Sequence, residues 1–319
     1  MTTPFFVLAP MDDVTDTVFR RIVHECAPAD YYVTEFVNVD GLCSPGRNKI
    51  LPKLSTAQDE GSVYAQLWGK VPENFKQIAS EIVDGTIPGF SGVDINFGCP
   101  DKAVVKNECC SALQQLKLRD KAGEIISATL DGLDGRLPLS LKTRLGFSGI
   151  DYTWHEFLLG FKPIMLTVHV RTTKQMSKVP AQWDAIVPII KLRDKISPST
   201  KIVLNGDIKN KEHGAELTKK YGVDGVMIGR GVFQDPYCFA ESAPWNTSGS
   251  FERIALFKKH LELFRDTYSS ADRKFNPLKK FAKVYISEFP GASELRDKIM
   301  HTNSIKEALD VLQPHETRH

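Results

Sequence analysis

The 319-residue sequence has no apolar run close to the ~18 residues that a membrane span requires, so no membrane partner is expected. Its six cysteines, at positions 26, 43, 99, 109, 110 and 238, form no CxxC pair and no Cys/His cluster at zinc spacing. That pattern argues against a disulfide framework and a structural metal, and for a reducing cytoplasm. The opening "MTTPFFVLAPMDD" lacks the basic segment of a signal peptide. Charge of one sign is also scarce, since the net charge is only +2. The small excess is unevenly spread: residues 251–319 carry 13 Lys/Arg against 10 Asp/Glu, most visibly in "DRKFNPLKKFAK". This is a modest sign of an anionic partner. No GxGxxG follows the first β-rich run, which weakens a doubly wound dinucleotide-binding sheet as the architecture.

What is present is a repeated β-then-α pattern. Short β-rich runs begin at Phe5, Tyr31, Ser62, Gly92, Leu137, Ile164, Lys201 and Gly222, with amphipathic stretches such as "TDTVFRRIVHEC" and "PENFKQIASEIV" between them. Eight such units over residues 1–242 fit a (β/α)8 TIM barrel. The stretch "APWNTSGS" has linker composition. Beyond it, residues 251–319 place apolar residues at helical spacing, which predicts a small all-helical C-terminal domain.

In such a barrel the functional groups gather at the carboxyl ends of the strands. Those ends carry Gln66, Asn96 with Cys99, Lys142 with Arg144, His169 with Arg171, Asn205 with Asp207, and Arg230 beside Gly229. In "VDINFGCP" an alternating strand stops at a turn, which sets Cys99 at the strand end. A thiol with an ordinary pKa near ~8.5 is mostly protonated at neutral pH and can deliver a proton. The turns "NGDI" and "GRG" suit a phosphate group, through backbone N–H groups and one arginine. Lys142 fits either a Schiff-base lysine of an aldolase or a cation near the pyrimidine edge of a flavin.

The chain resembles the tRNA-dihydrouridine synthase family nearly end to end, through "LAPMDDVTDTVFRR", "YAQLWGKVPENF", "VDINFGCPDKAV", "LSLKTRLGF", "TVHVRTTKQM", "IVLNGDI" and "GVMIGRGVFQDP". The tail "KFAKVYISEFPGASELRDKIM" resembles the family's helical RNA-binding domain. The resemblance implies reduction of the C5=C6 bond of uridine in tRNA, in the D-loop, by FMN recharged by NADPH or alternatively NADH. It implies that Cys99 protonates C5 while hydride goes to C6. Asn96 and Arg144, with Arg171, would hold the uracil. Pro10, Met11, Gln66, Lys142 and His169 would hold the flavin, and Asn205, Asp207, Gly229 and Arg230 its phosphate end. On a helix Lys279, Lys280 and Lys283 would share one face, expected to meet tRNA phosphates. A monomer without metal is expected.

Two departures from the family pattern stand out. Asp13 occupies a position where the opening often has glycine, and "NECCSALQQ" replaces a small, glycine-rich stretch. Three competing readings remain on the residues alone. They are an FMN barrel acting on a small molecule in the manner of dihydroorotate dehydrogenase, an aldolase using Lys142, and a non-catalytic RNA-binding factor on a retired barrel.

Overall fold

In the computed structural model, which describes residues 3–242, 244–268 and 274–315, parallel strands close into a barrel. The strands are β1 (Phe5–Leu8), β2 (Tyr31–Val33), β3 (Val37–Asn38), β4 (Val63–Trp68), β5 (Gly92–Asn96), β6 (Leu139–Arg144), β7 (Met165–His169), β8 (Lys201–Asn205) and β9 (Gly225–Ile228). Pairing runs from β1 through β9 back to β4, and β2 joins β1 to β4, which closes the ring. The run from Tyr31, expected as one strand, is split in two. Thr34 causes the break: its Oγ1 donates to the Glu35 carbonyl at 2.7 Å and accepts from Gln66 N at 2.9 Å. The chain bends there, and β3 then pairs with the far end of β4. The barrel therefore has the expected eight strand positions, one of them interrupted.

The period-2 geometry of a strand sends alternate residues inward. Val7, Tyr64, Met165, Val203 and Met227 make a separate apolar cluster inside the barrel. One layer nearer the carboxyl ends, the inward residues turn polar. The outer face is covered by α1 (Thr17–Cys26), α2 (Pro72–Val83), α3 (Arg119–Leu133), α4 (Tyr152–Leu159), α5 (Val187–Ile196) and α6 (Lys211–Tyr221). Helix α1 starts where the Asp16 carboxylate accepts from Phe19 N at 2.8 Å, and it buries Val18, Phe19, Ile22 and Val23.

The tail folds as α7 (Ser250–Tyr268), α8 (Ala282–Tyr285), α9 (Ala292–Met300) and α10 (Ile305–Leu312), with a 3-10 turn at Asn276–Phe281. In the stretch of linker composition before α7, Pro244, Asn246, Thr247, Gly249 and Ser250 are exposed, and Trp245 anchors the junction. Trp245 is 1% exposed, and the Arg253 guanidinium lies 4.4 Å from its ring centre while donating to the Trp245 carbonyl at 2.7 Å. On the barrel side Phe19 of α1 packs on Phe281 at 4.9 Å and His260 at 5.7 Å.

A buried ion pair ties α1 to the segment before β4. Arg20 Nε donates to Glu60 Oε2 at 2.9 Å, and both side chains are fully buried. Arg20 also donates to the carbonyls of Thr15 and Ser55, at 2.7 Å each. Removing one partner strands the other charge, so Glu60→Ala should lower unfolding stability by about 3–5 kcal/mol in urea titration. The double variant Arg20→Met with Glu60→Leu should recover most of that loss. Equal stability of the single variant and the parent would show that the pair is not a structural tie.

Candidate active site

Strand register assembles the site. Gln66 of β4 lies beside Asp94 of β5, Asn96 beside Lys142 of β6, Arg144 beside His169 of β7, and His169 beside Asn205 of β8. The strand-end residues expected from the sequence are therefore neighbours around one rim. Met11, just past β1 and its neighbour β9, approaches Gly229: a Cβ built on that glycine would lie 3.9 Å from Met11 Sδ. Pro10 belongs to the same turn.

Cys99 sits on a loop held from several directions. Asn96 Oδ1 accepts from Gly98 N at 2.9 Å and from Cys99 N at 3.0 Å. Arg144 Nε donates to the Gly98 carbonyl at 2.7 Å, Ser111 Oγ to the Cys99 carbonyl at 2.6 Å, and Gln114 Nε2 to the Phe97 carbonyl at 2.7 Å. The thiol is partly exposed. Burial pushes its pKa up, against a lowering bond from the Asp101 backbone N–H. It is thus a thiol, not a thiolate, at neutral pH.

Two residues expected at the uracil are engaged in building this loop. The Asn96 carbonyl oxygen has both lone pairs taken, and its amide donates to Gln66 Oε1 at 3.0 Å. Arg144 further donates to the carbonyls of Met176 at 2.9 Å and Thr172 at 3.3 Å. Both residues border the site, and both orient the loop. Ser111 and Gln114, which sequence reasoning passed over, share that task. No motif marks them, because their partners are backbone carbonyls brought near by the fold.

The rim from β6 onward is cationic, beginning with Lys142 and Arg144 beside the Cys99 loop. Lys142, Arg144, Arg171 and Arg230 collect there against Asp94 and Asp207. Burial, then the neighbouring Arg144, lowers the Lys142 pKa to about 8, while Asp94 opposes the shift. Burial and the surrounding cations hold His169 well below its usual value, so it is neutral. His169 Nδ1 and Arg171 Nη1 are buried with no hydrogen-bond partner among the described residues. Two unmatched buried nitrogens beside cations fit a ligand rich in acceptors and negative charge. The β8 turn suits close backbone approach, since Gly206 has φ +125 and Trp183 Nε1 donates to its carbonyl at 2.9 Å. Asp207, expected at the phosphate end, is itself anionic. It accepts from Arg171 and from Arg230 Nη2 at 2.9 Å, so its side chain holds the arginines in place. Asn205 Nδ2 donates to the Met227 carbonyl at 2.8 Å.

The departures from the family pattern now have a physical meaning. Asp13 has φ +54, Glu108 +59 and Cys110 +50, a left-handed backbone that favours glycine. Asp13 is held there by its N–H donating to Glu35 Oε1 at 2.8 Å. Asp12, Asp13 and Glu35 form an acidic trio with Lys53 among them, 3.4 Å from Asp13 and from Glu35. The single lysine face expected in the tail does not form. Lys279 donates to the Met300 carbonyl at 3.1 Å, and Lys280 faces Asp13, Glu35 and Asp12 across the barrel edge. Lys283 is exposed on α8, and Arg273 lies outside the described residues. The turn at 276–281 is a 3-10 helix, so the angular spacing assumed for an α-helix does not apply.

A family model described as "Dihydrouridine synthase (Dus)" matches residues 7–318. The chain belongs to the dihydrouridine synthase family. Among its relatives is a Staphylococcus epidermidis protein named "Probable tRNA-dihydrouridine synthase", 42% identical over 318 residues, which cover 99% of this chain and 94% of the relative. The Bacillus subtilis "Probable tRNA-dihydrouridine synthase 2" is 42% identical over 321 residues, covering 99% and 95%. Among solved structures, morphinone reductase aligns at TM-score 0.53 with 10% identity, over 73% of this chain and 84% of its own. Histamine dehydrogenase from Rhizobium sp. 4-9 aligns at 0.53 with 12% identity, over 81% and 48%. At that identity the likeness concerns the barrel fold alone. Family membership sets aside the aldolase reading of Lys142. Among the described residues, no helix is long and apolar enough to cross a membrane.

The raised thiol pKa can be tested directly. Alkylation consumes the thiolate, so Cys99 should react slowly with iodoacetamide at pH 7.5. The rate should climb as pH rises past the ordinary thiol value, followed by mass spectrometry of the Cys99 peptide. Rapid alkylation with a midpoint below pH 8 would contradict a partly buried, protonated acid.

Proposed function

We propose that this protein reduces uridine in tRNA to 5,6-dihydrouridine with FMN as resident cofactor and NADPH as reductant, NADH being the alternative. The observation that carries the reading is the Cys99 thiol, kept protonated on a braced loop at the same rim as Lys142 and the unpaired His169 nitrogen. Family membership supports the reaction class.

FMN, when bound, would supply the hydride for C6 of the uracil. The protein's own side chains do the rest. Cys99 Sγ gives its proton to C5. Lys142 would hold the flavin and supply positive charge to it. His169 Nδ1 and Gln66 offer hydrogen bonds to the ring edge. Arg230, braced by Asp207, and the turn at Gly229 meet the phosphate, with Asn205 beside them, while Pro10 and Met11 border the ring from β1. Arg171 and the remaining amide hydrogen of Asn96 meet the uracil. A uridine reaches such a pocket only out of its stack, which requires an extended surface to hold the surrounding RNA.

Acid-released cofactor should be FMN, and tRNA transcripts should gain dihydrouridine. Cys99→Ala should retain the flavin and lose about 10²–10⁴-fold in product formation, the range of general acid catalysis. Recovery of FAD, or near-normal turnover by the variant, would count against the assignment.

The RNA path has a structural candidate. A groove of about 1830 Å³ runs between the tail and the segment before β4, bordered by Lys49, Lys53, Lys274, Thr56 and Phe281. Its lysines, with the exposed Lys283, suit phosphate binding. The variant Lys49→Ala, Lys274→Ala, Lys283→Ala should weaken tRNA binding and reduce the salt slope by up to about 3, one for each phosphate no longer neutralised. Reduction of the flavin by NADPH should be unchanged. An unaltered affinity and slope would place the RNA elsewhere.

A further inference from the structure

The roles above leave one buried carboxylate unused. Asp94, on β5, is 1% exposed and lies in the polar layer beneath the rim. Its Oδ2 accepts from Gln66 Nε2 at 2.6 Å, and its Oδ1 accepts from Ser140 Oγ. From Gln66 the chain of bonds continues outward. Asn96 Nδ2 donates to Gln66 Oε1 at 3.0 Å, and Asn96 Oδ1 accepts the N–H groups of Gly98 and Cys99. Ser140, Asp94, Gln66, Asn96 and Cys99 thus form one continuous relay across β4, β5 and β6.

The direction of this relay is determined by chemistry at both ends. A carboxamide can flip, exchanging its oxygen and its NH2 at nearly equal shape. An ionised carboxylate accepts only, so Asp94 demands the Gln66 NH2. That turns Gln66 Oε1 toward Asn96, which in turn must present its own NH2. Asn96 Oδ1 is then left facing the loop, where two backbone donors await an acceptor. The wrong flip at either amide would oppose donor to donor in a buried site.

We propose that Asp94 is a positioning residue, whose ionised carboxylate orients Gln66 and Asn96 and through them the loop that presents the Cys99 thiol. The link to catalysis rests on the function proposed above; the structural relay does not. The groups facing Asp94 are Lys142 and Ser140 from β6, and Gln66 and Tyr64 from β4. Burial raises the Asp94 pKa to about 6, while the Ser140 and Gln66 bonds and the Lys142 charge pull it down. Above pH about 6 the carboxylate is an acceptor at both oxygens. Below it one oxygen gains a proton, becomes a donor, and no longer compels the Gln66 orientation.

Two readouts test this on the FMN-loaded protein. In single-turnover reduction of a tRNA transcript, the parent rate should fall below pH about 6. Asp94→Ala should lose about 10–100-fold in kcat with KM for tRNA nearly unchanged, as expected for a misplaced acid. Asp94→Asn, which like the protonated acid carries a donor and no longer compels the Gln66 orientation, should fall to the rate that the parent shows at low pH and lack the limb near pH 6. Ser140→Ala removes a bond that lowers the Asp94 pKa, so its limb should move to higher pH. The second readout needs no turnover. Iodoacetamide labelling of Cys99 at pH 8 should accelerate about threefold or more in Asp94→Ala, because the loop opens more readily. A protein inactive on tRNA would refute the proposed reaction, and labelling would still decide the relay. Parent-like labelling in Asp94→Ala overturns the relay. An unmoved acid limb in both Asp94→Asn and Ser140→Ala overturns the role of the ionised form. If Asp94→Ala does not fold, those two variants carry the test.

Discussion

Parallel pairing all the way round the barrel, from Leu8 beside Ile228 to Tyr32 beside Val63, makes every strand end at the same rim. Residues separated by tens of positions in the chain become lateral neighbours without any loop having to bring them together. The rim residues Asn96, Lys142, Arg144, His169 and Asn205 are pairwise adjacent through this register alone. A shift of one residue in any strand would turn its rim side chain to the outer face.

Upon this rim the site separates two electrostatic roles. Near Cys99 the loop is braced by Asn96, Ser111, Gln114 and the Arg144 guanidinium, and burial favours the uncharged thiol against the lowering charges of Arg144 and Lys142. Toward β6 to β9 the cations dominate, and the buried histidine is held neutral by them. Low dielectric strengthens both tendencies at once: it discourages a thiolate, and it makes unpaired nitrogens costly until a ligand matches them.

The tail is joined to the barrel by more than chain connectivity. Arg253 lies over Trp245 and reaches the Glu288 carboxylate at 2.9 Å, while Phe19 of α1 packs against both His260 and Phe281, whose rings also touch each other. Burial pushes the His260 pKa down to about 3, so that ring is a neutral packing element whose Nδ1 meets the Tyr285 hydroxyl at 3.0 Å. The groove between tail and barrel therefore has walls of defined separation, which a platform for a large, stiff ligand needs.

The sequence by itself determined the eight β-then-α units, the helical tail and the rim residues, because strand and helix periodicity and turn chemistry are local properties of neighbouring side chains. It also determined the family, through ordered motifs such as "VDINFGCPDKAV". Tertiary structure alone decided what those rim residues do to one another. Asn96 and Arg144 brace a loop, Asp207 clamps arginines, and Asp94 lies at the root of a relay, because each partner comes from a different strand. It also decided that Trp245 is buried at the junction and that the three tail lysines diverge. Composition cannot reveal that Trp245 finds Arg253, nor that a 3-10 turn replaces an α-helix at Lys279. Such outcomes depend on which surfaces meet, and only the closed fold chooses them.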